Sequence, residues 1–151
     1  MILNLGCGKV PLEGAVNHDI DFFYDWVDIT HDLNERPWPW EDDTFDEIYA
    51  AGVLEHLESF IKSLEECHRI LKIGGKVHMQ LPNFMYERSH DDPTHRWFFT
   101  IRSMDYFIEG TPHCESFGFY SKMRWIKDSV EKIGTDIWFV LEKAPCVEHF
   151  S

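Results

Sequence analysis

Leu3-Asn4-Leu5-Gly6-Cys7-Gly8 decides the fold. Ile2–Leu5 is a short apolar run, and it stops at a glycine turn. A strand that feeds Gly6-Cys7-Gly8 reads as the start of an α/β sheet, with the turn at the carboxyl end of the first strand, where such sheets bind ligands. Outward from it, Ala15–Ile20 and Val27–Thr30 read as a second and a third strand, and Phe45–Ala51 as a fourth. Between the last two, Pro37-Trp38-Pro39-Trp40 and Glu41-Asp42-Asp43 mark a loop. Ser59–Lys72 is the clearest helix. Ser59 is a natural N-cap, Phe60, Ile61, Leu64, Cys67 and Leu71 keep the 3.6 period, and Gly74-Gly75 is expected to end it. Lys76–Leu81 gives a fifth strand and Thr100–Glu109 a short helix. Two further strands are expected from Phe117 onward, with their turn at Lys132–Thr135 and the last strand at Ile137–Glu142. Met123, Ile126, Val130 and Ile133 also fit a helix, so strand and helix both stay open for 117–133.

The chain has 151 residues, which is one domain, 1–151. Its formal charge is −13, and twelve acids against Arg36 alone place −11 of that between Glu13 and Glu47. So acidic a chain argues against nucleic-acid binding and against an anionic membrane surface. The acidic stretch is either a solvated face or a site for cationic or hydroxyl-bearing groups. The cysteines at 7, 67, 114 and 146 form no zinc or redox spacing and read as free thiols. With no signal-like or bilayer-spanning segment, the expected location is cytoplasmic. A nicotinamide fingerprint would need a third glycine and a later acid, and a P-loop would need GxxxxGK[ST]; neither is present. A nucleotide-sugar or NAD ligand is therefore disfavoured.

Six segments in order carry a resemblance. They are Leu3–Gly8, Asn17-His18-Asp19-Ile20-Asp21, His31-Asp32-Leu33, Thr44-Phe45-Asp46-Glu47-Ile48-Tyr49, Val53-Leu54-Glu55-His56-Leu57 and Arg69–Gly75. Together they resemble the class I S-adenosylmethionine-dependent methyltransferases, and more narrowly the small type 11 proteins. Asp92-Pro93-Thr94-His95-Arg96-Trp97-Phe98-Phe99-Thr100 is similar to a later run of that group. The resemblance spans roughly residues 2–109. It implies a Rossmann-like sheet, mostly parallel with an antiparallel final strand, and S-adenosylmethionine as cofactor. It implies that Leu5, Gly6, Cys7 and Gly8 lie against the methionine and ribose parts, and that Asp19 and Ile20 serve the ribose. Asp32 and Leu33 would serve the adenine, and Ala51 and Gly52 the methionyl ammonium.

The chain departs from that layout. Six residues separate Gly8 from Ala15, and six separate Ile20 from Val27. A helical crossover needs about a dozen. The helices after strands one and two are therefore expected to be missing, as is one before strand one, leaving reduced helices on one face. The strands alternate accordingly. Leu3/Leu5, Val16/Ile20, Val27/Ile29, Ile48/Ala50 and Val77/Met79/Leu81 form an apolar set. Asn4, Asn17/Asp19, Asp28/Thr30, Tyr49 and His78/Gln80 form a polar one. Ile73 stands where the family often has proline.

Residues 84–120, with ten aromatics and His90, Asp91, Asp92, His95 and His113, are expected to form the acceptor side. Methyl transfer needs alignment more than a fixed triad. His95 and His56 are the candidates for a base or acceptor-orienting group; capping of the loop by His95 and Asp92 is the structural alternative. No Asn/Asp-Pro-Pro-aromatic run and no Pro-Cys follow strand four, which argues against nucleobase methylation. His90, Asp92, His95, His113 and Cys114 match no standard metal spacing, so no metal is expected from sequence. The expected activity is methyl transfer to a small-molecule, sugar or peptide acceptor. The alternative is a non-catalytic module or accessory subunit that binds S-adenosylmethionine or S-adenosylhomocysteine. A homodimer is compatible with either.

Overall fold

A computed structural model describes residues 1–145. Its strands are β1 (Ile2–Leu5), β2 (Val16–Asp19), β3 (Ile29–Thr30), β4 (Phe45–Ala51), β5 (Leu71–Pro82), β6 (Trp125–Ile133) and β7 (Asp136–Lys143). They form one seven-stranded sheet in the order β3-β2-β1-β4-β5-β7-β6. β1 pairs in parallel with β2 and β4, and β4 with β5. β7 runs antiparallel to both β5 and β6. The expected mostly parallel sheet with a reversed final strand is what forms, and 117–133 resolves as a short 3-10 turn followed by strand β6.

α1 (Phe60–Ile70) is the one long helix among the described residues. Ser59 accepts a hydrogen bond from the Lys62 N–H, and Phe60, Ser63, Leu64, Cys67 and Ile70 are buried on one face. The helix stops earlier than the glycines suggest. Leu71 is already extended and pairs with Phe45, so Gly74-Gly75 lie inside β5 instead of capping α1. The cause is tertiary: the Arg69 and Ile70 carbonyls accept from the Asp43 and Thr44 N–H groups, which pulls the chain out of the helix. Thr100–Glu109 also differs. Only a 3-10 turn forms at Ser103–Phe107, because Ile108 bridges to Trp125 and Glu109 donates to the Trp125 carbonyl. Two short helices were not read from the sequence, α2 (Arg88–Asp91) and α3 (Pro112–Phe117). The second carries local signals, a Thr111 N-cap and Pro112 in the first turn.

The core lies between α1 and one face of the sheet, where Leu3, Leu5, Ile48, Val77, Met79, Phe139 and Leu141 meet Leu64, Cys67 and Ile70. Arg69 fastens the loop that follows β3 to this core. It donates to both carboxylate oxygens of Glu66, to Asp42 and to the Trp38 and Trp40 carbonyls. All five guanidinium N–H groups are used. Trp38, 2% exposed, is thereby held in the core, and Trp40 packs edge-on to His18 and Phe45.

The opposite face carries no long helix among the described residues. The loop between β1 and β2 folds over it. Asn4 donates to the Val10 carbonyl and to Asn17, while Asn17 exchanges two hydrogen bonds with the Leu12 backbone. Asn4 and Asn17, members of the polar set, are thus buried under a loop. Further along, Tyr49 stacks on His78 at 4.3 Å, and both bond to Glu47. The apolar set also needs correction. His18 occupies the core side of β2, and Ile20 lies past the strand end, 60% exposed.

Replacing Arg69 by Lys keeps the charge but loses the planar fork. The expected outcome is a loss of about 2–3 kcal/mol, read as a fall of roughly 5–10 °C in thermal midpoint for a domain of this size. An unchanged midpoint by circular dichroism would show that the fork does not hold the loop.

Candidate cofactor and acceptor site

The glycine turn is pinned to β2 through its backbone. The Gly6 N–H reaches His18 Nδ1 at 3.3 Å, the Cys7 N–H donates to the His18 carbonyl at 2.9 Å, and the Gly8 N–H donates to Asp19 Oδ2 at 2.8 Å. Each N–H that a pyrophosphate would use is therefore committed within the chain. This geometry suits a ligand without phosphate. Gly6 has φ +60°, and a Cβ there would meet Val53 at 2.9 Å, so the turn needs glycine for both reasons.

His18 is the residue the sequence reading missed. Its Nδ1 accepts from Gly6, so Nε2 carries the proton and donates to the His31 carbonyl at 2.9 Å. Burial holds its pKa below the usual histidine value, opposed by the His31 carbonyl and by Asp19. The signal available in sequence was only a histidine inside an alternating strand.

A cleft of ≈ 350 Å³ opens beside the turn. Gly6, Asp19, Ile20, Asp32, Leu33 and Gly52 of the expected cofactor set line it, together with His18, His31, Asn34, Val53, His56 and Leu57. Leu5 is fully buried, Cys7 is buried, and Gly8 acts through Asp19, so these three support the wall without lining it. The Asp32 carboxylate accepts from the Asn34 N–H through Oδ1, and Asp19 accepts from the Ile20 and Gly8 N–H groups. Each carboxylate oxygen has further lone pairs, so both acids can still accept from hydroxyl or amino groups. Among the described residues, no Lys or Arg lines this cleft.

A second cavity of ≈ 300 Å³ adjoins it, lined by Ala51, Gly52, Glu55, Gln80, Leu81, Pro82, Arg88, Asp91, Asp92, His95 and Asp136. Gly52 borders both spaces; its φ of +68° favours glycine, which puts no side chain at the neck between them. Glu55 sits at this partition with its side chain 5% exposed. Burial pushes its carboxyl up to about 7; its own backbone N–H and His95 oppose the rise, and Asp136 and Asp92 add to it. His95 and His56, the two sequence candidates, come together here. Their rings lie 4.8 Å apart. His95 faces the second cavity and His56 the first. Desolvation and His95 hold the pKa of His56 below its usual value. His90 and His113, grouped with His95 by sequence, lie elsewhere: His90 bonds to the Phe84 carbonyl and His113 packs on Tyr106. Cys7, Cys67 and Cys114 are free thiols, and Cys146 lies outside the described residues.

His18 must stay neutral to accept from Gly6. Its lowered pKa means that the unfolded chain binds a proton first as pH falls below about 6.5, so its contribution to stability is present above that value and is lost on acidification. The expected NMR titration midpoint of His18 lies below 6.5; a midpoint at or above it would contradict the Gly6–His18 bond.

Residues 16–79 match the family model described as a methyltransferase domain. No curated protein matches the sequence. Solved structures with this fold include a chain of the Haloferax volcanii complex between the Trm112 methyltransferase activator and a methyltransferase, at TM-score 0.67 and 12% identity, covering 95% of this chain and 82% of that one. A Thermotoga maritima S-adenosylmethionine-dependent methyltransferase aligns at TM-score 0.61 and 14% identity, covering 94% and 81%. The [4+2]-cyclase SpnF aligns at 0.63 and 13%, covering 95% and 75%. No helix among the described residues is long and apolar enough to cross a membrane. Residues 16–79 thus carry a methyltransferase-domain match, and the described residues share the fold of these S-adenosylmethionine-dependent methyltransferase structures.

Proposed function

We propose that the protein transfers the methyl group of S-adenosylmethionine to a small polar acceptor held in the cavity over Glu55. The observation that carries this reading is the shared border at Gly52. A cleft suited to an adenosine ligand and a cavity lined by ionisable groups meet across a residue with no side chain. A cyclase with the same fold shows that the fold alone does not specify methyl transfer, so the case rests on the site.

The cofactor supplies a methyl group already activated by a sulfonium. The residues of the chain bind and orient. Asp19 and Asp32 would hold the ribose and adenine, with Leu33, Val53 and Leu57 as apolar walls. The carboxylates around both spaces favour the cationic end of the cofactor. On the acceptor side, Glu55, Asp91, Asp92 and Asp136 stand against Arg88, the one residue with a permanent positive charge in this lining among the described residues. This lining suits an amine or a hydroxyl-rich molecule. The Glu55–His56–His95 cluster borders the neck and is placed to activate the acceptor atom. Residues 84–120 supply Arg88, Asp91, Asp92 and His95 to this wall, in keeping with an acceptor-side role.

The test is calorimetry with S-adenosylmethionine, S-adenosylhomocysteine and NAD, followed by mass-shift turnover on a panel of amines, sugars and short peptides. The expected result is binding of both methionine-derived ligands, weakened about ten- to a hundredfold in Asp32→Ala by loss of a charged acceptor. Failure to bind either ligand overturns the reading. Binding without turnover on any acceptor overturns its catalytic half and leaves a cofactor-binding module.

A further inference from the structure

We propose that Glu55, His56 and His95 form a site for one divalent transition cation of the Zn²⁺ type at the border of cofactor cleft and acceptor cavity. The proposal deepens the acceptor reading, on which only its catalytic part rests. The three side chains each offer one ligand atom, and all these atoms lie within 4.8 Å of one another.

The hydrogen bonds outside the cluster fix the ring tautomers. His95 Nδ1 stands 2.9 Å from the Ser89 carbonyl, which can only accept, so Nδ1 carries the proton. The Thr94 hydroxyl donates to Asp92 Oδ1 at 2.7 Å, so its oxygen accepts from His56 Nδ1 at 2.8 Å. Nε2 of each ring points inward, and in the neutral form of the ring it carries a bare lone pair. These two atoms stand 3.8 and 3.9 Å from the same carboxylate oxygen, Glu55 Oε1. Glu55 Oε2 is buried and has no hydrogen-bond partner.

With both rings neutral, three lone pairs face one another beside the buried Glu55 carboxyl, with His56 one-third exposed to the cleft. Such an arrangement repels unless something positive lies between them. A proton serves one donor–acceptor pair and is too short in reach for gaps of this length. A cation bonds all three at once. Ligands about 2.0–2.1 Å from a tetrahedral ion are roughly 3.3 Å apart, so inward movement of about half an ångström closes the set. Two imidazoles and one carboxylate select a Zn²⁺-type ion over Mg²⁺ or Ca²⁺. The Asp92–Thr94–His56 relay and the Ser89 carbonyl on His95 are the outer partners that orient metal-binding histidines. Asp92 Oδ2, 3.8 Å from His95 Nε2, adds a second carboxylate at the rim.

Three protein ligands leave a position open toward the acceptor cavity. An acceptor hydroxyl bound there is acidified and gives its proton to solvent. Its oxygen lone pair then forms the O–CH₃ bond as the S–CH₃ bond breaks, leaving neutral S-adenosylhomocysteine.

The full chain, stripped with chelator, is titrated with Zn²⁺ by calorimetry with no cofactor or acceptor present. The expected result is one ion per chain, with Glu55→Gln, His56→Ala and His95→Ala each weakening binding at least about tenfold. Thr94→Val keeps the ligands and should weaken it less. Should a variant fail to fold, the wild-type protein still decides: Zn²⁺ should shift the Nε2 resonances of His56 and His95 and leave those of His113 unmoved. No binding by the wild type, equal binding by wild type and folded variants, or shifts confined to other histidines overturns the site. S-adenosylmethionine affinity is measured separately. Zinc binding without cofactor binding supports this site and overturns the function above; the reverse overturns only this site.

Discussion

Arg69 is the constraint on which the left half of the sheet depends. A parallel sheet must cover its faces, and the stretch from Leu33 to Asp43 has no helix with which to do so. It has two tryptophans and two prolines instead, a segment with little internal hydrogen bonding. Such a loop holds one shape only if something outside satisfies its carbonyls. Arg69 does this from the last turn of α1, using Glu66 as its charge partner. Glu66 in turn accepts from the Trp38 N–H, and the Arg69 guanidinium helps hold its carboxyl below the usual range against the opposing effect of burial. Because Trp40 packs on His18 and His18 holds Gly6, the same fastening reaches the wall of the cleft beside the glycine turn.

The other face shows a second way to live without helices. Side chains on that face bond either to the backbone of the overlying loop or to each other. Asn4 and Asn17 supply the partners that a helix would have found within itself. Glu47 joins the Tyr49 and His78 pair into a small polar platform. Each polar atom so paired avoids the cost of an unsatisfied buried group. The alternation that looks like a solvated face in the sequence therefore encodes partly a covered one.

Much of this was legible where the signal is local. The Ser59 cap, the α1 period and the β6–β7 turn at Gly134 depend on residues within a few positions of one another. The mostly parallel sheet with a reversed final strand came from the resemblance that six short segments carry. What stayed hidden depends on distant pairing. Gly74-Gly75 looks like a helix stop, yet Phe45 recruits Leu71 first and moves the boundary back. Ile20 continues an apolar alternation but lies beyond the last paired residue of β2. His18 reads as one of nine histidines until the Gly6 N–H is seen to need an acceptor. Glu55 reads as an ordinary acid in Val53–Leu57. Its buried, unpartnered Oε2 and the approach of His95, 40 positions on, to its Oε1 are visible only in the fold.

These features converge on the sign of charge at the site. In a nucleotide-binding turn the backbone N–H groups point at the ligand and attract anions. Here they are consumed by His18 and Asp19, and the turn leads into no helix whose positive end could replace them. The ionisable groups that remain around the cleft and the cavity beyond it are mostly carboxyl and imidazole side chains. Such a site repels phosphate and draws positive charge, whether a sulfonium, an ammonium or a metal ion. The concentration of acids between Glu13 and Glu47 thus has two components. Asp19 and Asp32 belong to the cleft, while Asp42, Asp43 and Asp46 bond to Arg69, Lys143 and Lys72 and hold the fold. The same acidic stretch therefore sets the sign of charge along the cleft and secures the loop that frames it.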